Sequence, residues 1–236
     1  MHYKIHSIEQ ERIEKIIVAC GWDKNCPFGL DRFNYIELEH LDFFGNKQEG
    51  QIIVLDIVTQ NVINIFTELL KKRFPIYSLK PISAFNCDDE ESMRNNNSSC
   101  FCNRKIMDSS TKSLHSYGVA IDINPVQNPM IKIVNTARHF DNIRIFPGSD
   151  NIMNEQNNSF ENYINRSNIK KGMVENIIEI FTKNGFHNWG GNWNDPIDFH
   201  HFDIGRNLAE KLATSEKNIA QNIWQSHLQN LSKAIL

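Results

Sequence analysis

The chain has 236 residues, of which 40% are hydrophobic and 22% charged, a composition typical of a globular protein. A chain of this length can bury a substantial core as one large domain or two small ones. We expect one domain over residues 1–236, because the sequence contains no repeat and no clear linker. Its 25 basic and 28 acidic residues give a net charge of −3, which offers no global electrostatic reason to bind nucleic acid or anionic lipid.

The sequence predicts neither a membrane-spanning segment nor a secretory signal. No apolar run approaches the ~20 residues that are needed to cross a bilayer. The N-terminal run MHYKIHSIEQERIEK lacks the apolar centre of a secretory signal. The compartment is therefore left open between the cytoplasm, another export route and a leader missing from this chain.

The first half of the chain is predicted to contain two helices and three strands. Apolar residues at helical spacing predict helices over 8–20 and 59–73. Runs rich in β-branched and alternating apolar residues predict strands over 35–40, 51–57 and 77–84. Glycines between the first two of these strands indicate a long hairpin.

The second half alternates long polar segments with short apolar ones. Its predicted elements, in chain order, are a polar loop over 86–113, strands over 118–123 and 130–134, a polar loop over 147–168, a helix over 169–184, a strand over 199–204 and a helical last thirty residues. Loops as long as the first are usually functional or disordered. Hairpins and few crossovers predict an α+β fold in which helices flank an antiparallel sheet.

One candidate site lies where a histidine precedes a strand of small residues. Gly118, Ala120 and Asp122 would share one face of that strand and leave space beside a carboxylate for a metal and a substrate. His115 lies just before the strand, where it could fold over toward Asp122. The alternative is that His115 is a loop residue and Asp122 a strand-end residue with a local hydrogen bond.

A second candidate site contains two adjacent histidines. His200 and His201 follow the run Trp-Gly-Gly-Asn-Trp over 189–193, whose aromatic and glycine residues suit the wall of a cleft. Adjacent side chains on a strand point to opposite faces, so only one of the two histidines would reach a given metal. Asp198 could serve as a supporting or general-base carboxylate, and strand alternation places it with His200. The alternative is a packed or surface histidine pair.

Together the two segments supply two imidazoles, a carboxylate and a spare carboxylate. Zinc binds nitrogen and oxygen ligands, and a catalytic zinc keeps three protein ligands and one open position for water. Water bound to such a zinc has a pKa of roughly 7. The combination favours a zinc site more strongly than either segment does alone.

The spacing of these residues resembles a known family. Ser-x-His-x-x-Gly-x-Ala-x-Asp over 113–122, Trp-Gly-Gly-x-Trp over 189–193 and Asp-x-x-His-Phe over 198–202 are similar to motifs of the D-alanyl-D-alanine carboxypeptidase family of zinc peptidases. That family includes L-alanyl-D-glutamate endopeptidases. The similarity covers about residues 22–204 and leaves a helical extension over 205–236.

The resemblance implies a fold and a set of site residues. The implied fold is the small α+β fold shared with the hedgehog signalling domain. The implied site comprises the zinc ligands His115, Asp122 and His201, the general base Asp198, the oxyanion-binding Arg104, and the substrate-binding Ser113, Tyr117 and Trp189. His200 remains a rival to His201 as the third ligand.

The resemblance also implies an activity, zinc-dependent hydrolysis of peptidoglycan stem peptides, whose substrate lies in the periplasm or cell wall. The Asp-Ile-Asn-Pro segment over 122–125 favours a D-alanyl-D-alanine carboxypeptidase. The alternatives are an L-alanyl-D-glutamate-type endopeptidase and a zinc-stabilised binding module without catalysis. The presence of Asp198 and Arg104 favours an enzyme.

Overall fold

A computed structural model describes residues 1–6, 11–136, 139–147 and 161–235. Within these residues the strands are β1 (Tyr3–His6), β2 (Phe33–Leu41), β3 (Lys47–Leu55), β4 (Ser78–Leu79), β5 (Asn97–Ser98), β6 (Ala120–Asp122), β7 (Met130–Thr136), β8 (His139–Phe146), β9 (Asn188–Trp189), β10 (Ile197–Asp198) and β11 (His201–Asp203). The α-helices are α1 (Glu11–Ala19), α2 (Thr59–Lys71), α3 (Asp89–Arg94), α4 (Glu161–Ile164), α5 (Ile178–Lys183), α6 (Arg206–Thr214) and α7 (Lys217–Ile235).

The strands form three small antiparallel sheets rather than one. Their orders are β1-β2-β3, β10-β7-β8 and β6-β11-β9, and a short parallel pair joins β4 to β5. The predicted hairpin is confirmed as β2 and β3, which are longer than predicted. Antiparallel sheets with separate helices agree with the predicted α+β class. The prediction that the strands form a single sheet was wrong.

One hydrophobic cluster connects the helices to the sheets. In α2, Val62, Ile65, Phe66 and Leu69 recur at helical spacing and are all buried. The same cluster extends from Ile13 in α1 to the C-terminal helix α7. The predicted helical last thirty residues are therefore confirmed as two helices that pack on the core.

Two predicted elements in the middle of the chain were wrong. The predicted strand over 77–84 is limited to β4, because Pro81 has no N–H for a ladder and begins a 3₁₀ turn over 82–85. The predicted helix over 169–184 forms only from Ile178 onward, after a 3₁₀ turn over 174–177. Gly172 interrupts it, with a φ of +85° and no room for a Cβ beside Phe43.

Other boundaries also differ from the prediction. The polar segment 86–113 contains α3 and β5, and the polar segment 147–168 contains α4, while β1 and β8 were not predicted. The predicted helix start at 8–10 and the loop residues 148–160 lie outside the described residues.

Among the helices that the structure describes, none is both long enough and apolar enough to cross a membrane.

Candidate metal centre and active site

The pairing of β6 with β11 brings two of the predicted ligands together. Asp122 and His201 are direct antiparallel partners, so their side chains lie side by side on one face. Oδ1 of Asp122 is 3.1 Å from Nδ1 of His201. Cross-strand register thus joins two residues that are far apart in sequence.

A capped turn brings the third predicted ligand to the same place. The hydroxyl of Ser113 accepts a hydrogen bond from the backbone N–H of His115 and caps a 3₁₀ turn over 114–117. Gly118 ends that turn with a φ of +62°, a conformation that favours glycine. Nε2 of His115 then lies 3.1 Å from Oδ2 of Asp122. This agrees with the prediction that His115 folds over toward Asp122.

Two hydrogen bonds fix which nitrogen of each imidazole faces the cluster. Nδ1 of His115 lies 2.6 Å from the carbonyl oxygen of Cys100, which only accepts, so this nitrogen carries the proton. Nε2 of His201 lies 3.0 Å from Oδ2 of Asp203 and donates to it. The other two ring nitrogens, Nε2 of His115 and Nδ1 of His201, are 3.2 Å apart, and both face Asp122.

The geometry of these donor atoms fits a metal ion. Four electron-rich atoms, two imidazole nitrogens and both carboxylate oxygens of Asp122, have neighbours at 3.1–3.2 Å and repel each other unless a proton or a cation lies among them. Zinc bonds of about 2.0–2.1 Å would place tetrahedral ligands about 3.3 Å apart. His115, Asp122 and His201 are all buried and form a group able to hold a metal.

The cluster is charge-separated when it holds no cation. Burial raises the pKa of the Asp122 carboxyl, but the charges of His115 and His200 and hydrogen bonds from the histidines outweigh it, and the pKa lies well below its usual range. Burial lowers the pKa of His201, but Asp122 and Asp203 outweigh it and hold the pKa well above its usual range. Opposite charges therefore compensate one another inside a buried site.

His200 lies beside the cluster but is turned toward other partners. Its Nδ1 donates to the carbonyl of Asn128 over 2.7 Å, and its Nε2 lies 3.0 Å from Oδ1 of Asp198. The distance from Nε2 to Oδ2 of Asp122 is longer, 3.9 Å. Burial lowers the pKa of His200, but Asp198 and Asp122 outweigh it and raise the pKa to about 9.

The alternation argument for this segment was wrong, because residues 198–201 are not one strand. Asp198 ends β10, which pairs with β7, whereas His201 begins β11 in another sheet. The turn between them lets both histidines approach Asp122. His201, not His200, completes the cluster of three donors.

A glycine turn packs directly against the backbone of Asp198. The residue is buried, and β10 lies under the 3₁₀ turn over 190–192. A Cβ on Gly190 would lie 2.5 Å from the carbonyl oxygen of Asp198. The Trp-Gly-Gly motif therefore contributes close packing that a larger residue would prevent.

Arg104 is tied to the segment that carries the metal cluster. Its backbone N–H donates to Oγ of Ser116, and its Nε forms an ion pair of 2.7 Å with Oδ2 of Asp89. Arg104 lines a cavity of about 520 Å³ that also contains Met107 and Phe146. Burial lowers the pKa of Arg104, but nearby carboxylates, Asp89 above all, outweigh it, so the guanidinium stays charged.

The three predicted substrate-binding residues have structural partners of their own. Ser113 caps the turn that carries His115, and Tyr117 is half-buried and packs against the hydrophobic cluster. Trp189 donates through Nε1 to the carbonyl of Phe199 over 2.9 Å. Contact of these three residues with a substrate stays a prediction.

Sequence reasoning missed several residues at the site. The aromatic ring beside His201 is Trp193, at 5.2 Å between ring centroids. Asp203 lies two residues after His201 on the same strand, so alternation placed both on one face and was a usable signal. The carbonyl groups of Cys100 and Asn128 left no signal, because any residue type supplies one.

Fold and site together define an α+β protein with a buried histidine–aspartate–histidine cluster able to hold a metal. Residues 107–204 match the family model described as D-alanyl-D-alanine carboxypeptidase. The match over these residues supports the resemblance to that peptidase family that the motifs carry. The match begins after Arg104 and does not extend over 22–106. No curated protein and no solved structure matches the chain.

Proposed function

We propose that the protein is a zinc-dependent D-alanyl-D-alanine carboxypeptidase that acts on peptidoglycan stem peptides. The observation that carries the proposal is the buried cluster of metal-binding side chains, His115, Asp122 and His201, inside the segment that matches the peptidase family. Imidazole and carboxylate are ligands that zinc prefers, and three of them leave a fourth position open. We further propose that residues 1–236 form one domain with the hedgehog-like fold of the family.

The proposed roles divide between binding and proton transfer. His115, Asp122 and His201 would hold zinc, which supplies a Lewis acid that polarises the scissile carbonyl and acidifies water. Asp198 accepts a proton from the attacking water and passes it to the leaving amine nitrogen as the C–N bond breaks. Asp198 is buried, and its neighbour His200 has Nε2 3.0 Å from Oδ1 of Asp198 and 3.9 Å from Oδ2 of Asp122, which supports this role.

Arg104 is proposed to bind the oxyanion. Its ion pair with Asp89 uses one of the five N–H donors of a guanidinium and fixes the side chain at the cavity wall. Removing an oxyanion donor typically costs ~10²–10³ in rate. The raised pKa of Arg104 supports the role, because the group stays protonated.

Incubation of the zinc-loaded protein with purified muropeptides tests the proposal. We expect mass spectrometry to show loss of one terminal D-alanine. Fragments cut between L-alanine and D-glutamate would instead indicate an endopeptidase, which the family also contains. No cleavage of any peptide by the zinc-loaded protein would indicate a binding module.

A matched pair of variants tests the role of Asp198. Asp198→Ala should abolish cleavage while zinc stays bound, because Asp198 is not one of the three residues able to hold the metal. Asp195→Ala removes an exposed carboxylate three residues earlier and should leave the rate close to that of the unmodified protein. Full activity in Asp198→Ala would contradict the proton-transfer role.

A further inference from the structure

We propose that His200 is a positioning residue that holds Asp198 in the orientation needed for proton transfer. This inference rests on the proposed function, because it concerns the carboxylate assigned there to the general base. It also assigns to His200 a role other than the third metal ligand for which its position in the sequence made it a candidate.

The ring of His200 is fixed from both sides. Its Nδ1 donates to the carbonyl oxygen of Asn128 over 2.7 Å, and its Nε2 is 3.0 Å from Oδ1 of Asp198. The ring is 2% exposed, so water does not compete for these contacts. Since both partners are acceptors, both nitrogens of His200 carry protons, and neither offers a lone pair to the metal cluster.

Asn128 is itself immobilised by its side chain. Its Nδ2 donates to the carbonyls of Ile123 and Gly172 over 3.0 and 2.9 Å, and its Oδ1 accepts from the backbone N–H of Val174 over 3.0 Å. Arg166 also donates to Oδ1 of Asn128, over 2.9 Å. The carbonyl that receives His200 is therefore part of a rigid frame.

Among the described residues, the ion pair of the Asp198 carboxylate is with His200. Its Oδ1 is buried and has no hydrogen-bond partner among the described groups, and Nε2 of His200 lies 3.0 Å from it. A buried carboxylate oxygen without a partner is costly, so the ion pair with His200 fixes the carboxylate rotamer. Oδ1 is then occupied by the imidazole, which leaves Oδ2 for the proton of the attacking water.

Two variants of His200 measure its effect on catalysis. His200→Phe keeps a ring but removes both contacts, and we expect kcat to fall about 10–100-fold with KM nearly unchanged. His200→Gln retains an amide donor toward Asp198 and should restore part of the loss. Both variants should keep their zinc, measured by metal analysis. Loss of zinc in both would show that His200 is a ligand, and an unchanged kcat in His200→Phe would show that it does not position the base.

A double-mutant cycle on thermal unfolding tests the pairing without any activity. His200→Phe should lower the Tm of the zinc-loaded protein, and should lower it much less when Asp198 is already alanine. His187→Phe, which removes an exposed histidine near Gly185, should change the Tm equally in both backgrounds. Equal Tm losses for His200→Phe in both backgrounds would overturn the inference. A coupled Tm loss in a chain that cleaves no peptide would reject the proposed function but retain the pairing.

Discussion

At the scale of single residues, the site depends on two groups that orient imidazoles without touching a metal. The Cys100 carbonyl and the Asp203 carboxylate take the outward N–H of His115 and His201, respectively. Such partners fix the tautomer and the ring orientation of metal-binding histidines. The ring orientations are consequently set before any ion arrives, which reduces the entropy lost on binding.

Asp203 should therefore control metal affinity. Asp203→Ala removes the acceptor for Nε2 of His201, and we expect the Kd for zinc to rise about 10–100-fold. Competition with a chromophoric chelator measures that Kd. Asp108→Ala removes an exposed carboxylate on the 86–113 segment and serves as the control. Equal Kd values for the two variants would contradict the orienting role.

Cys87 should be the most reactive of the five cysteines. A hydrogen bond from the Cys102 thiol outweighs burial and the charges of Asp89 and Asp88 and lowers the pKa of Cys87 to about 7. Because the thiolate is the nucleophile, alkylation by iodoacetamide should rise with pH up to about 7 and then level off. Mass spectrometry of labelled peptides measures the rate.

Two comparisons control the Cys87 measurement. Burial raises the pKa of Cys26, so that thiol should react more slowly at neutral pH. Cys102→Ala removes the hydrogen bond and should slow the labelling of Cys87 at pH values near neutrality. Faster labelling of Cys26 than of Cys87 would contradict the assignment.

Where local pattern was enough, the sequence predicted which side chains lie close together. His115 and Asp122 could be linked because they lie within eight residues of sequence, with small residues and a glycine between them. To choose between His200 and His201 from strand geometry, one must know that the chain turns between β10 and β11. That turn is set by the pairing of the two strands with different sheets, which local sequence does not reveal. The family spacing selected His201, which the donor geometry favours.

At the scale of elements, short strands and tight turns position Asp198, the proposed general base. β10 is only two residues long and is held between β7 and the 190–192 turn. Close approach of backbone to backbone requires a residue without a side chain. The glycine motif predicted to form a cleft wall thus also supports Asp198.

Gly190→Ala should displace β10 from this turn. The new methyl group would lie 2.5 Å from the carbonyl oxygen of Asp198, and we expect a loss of about 1–3 kcal/mol in the free energy of unfolding. Urea unfolding measures it. In Gly29→Ala the methyl group meets only the exposed carboxylate of Asp31, which can move, so stability should change little. Equal stabilities for the two variants would contradict the close packing.

Sequence periodicity predicted the elements that are long and one-sided. The β2–β3 hairpin and α2 were found because their apolar residues repeat over nine or more residues. The helix expected over 169–184 failed because Gly172 and the packing of Phe43 override local spacing. The remaining strands of the site are two or three residues long, too short for any periodic signal.

At the scale of the whole molecule, the C-terminal helix completes the core. Trp224 of α7 is fully buried and donates through Nε1 to Oδ1 of Asn61 in α2. The chain end that lies beyond the matched segment is therefore packed on the same hydrophobic cluster as α1. This continuity supports the proposal of one domain.

Trp224→Ala should destabilise the entire molecule. Loss of a buried indole typically costs about 3–5 kcal/mol, and unfolding in urea should remain a single transition with a lower midpoint. Ile219→Ala, on the same helix at a side chain that is 49% exposed, should change stability by about 0.5 kcal/mol or less. Separate unfolding of the C-terminal helices, seen as two transitions, would contradict the single core.

Metal analysis of purified variants shows whether His115, Asp122 and His201 form a zinc site. We expect about one zinc per chain in the unmodified protein, as for a site with three protein ligands. That zinc should be lost in His115→Ala and His201→Ala and retained in His200→Phe. Zinc retained in His201→Ala but lost in His200→Phe would contradict the ligand set, and absence of zinc from the unmodified protein after loading would contradict the site itself.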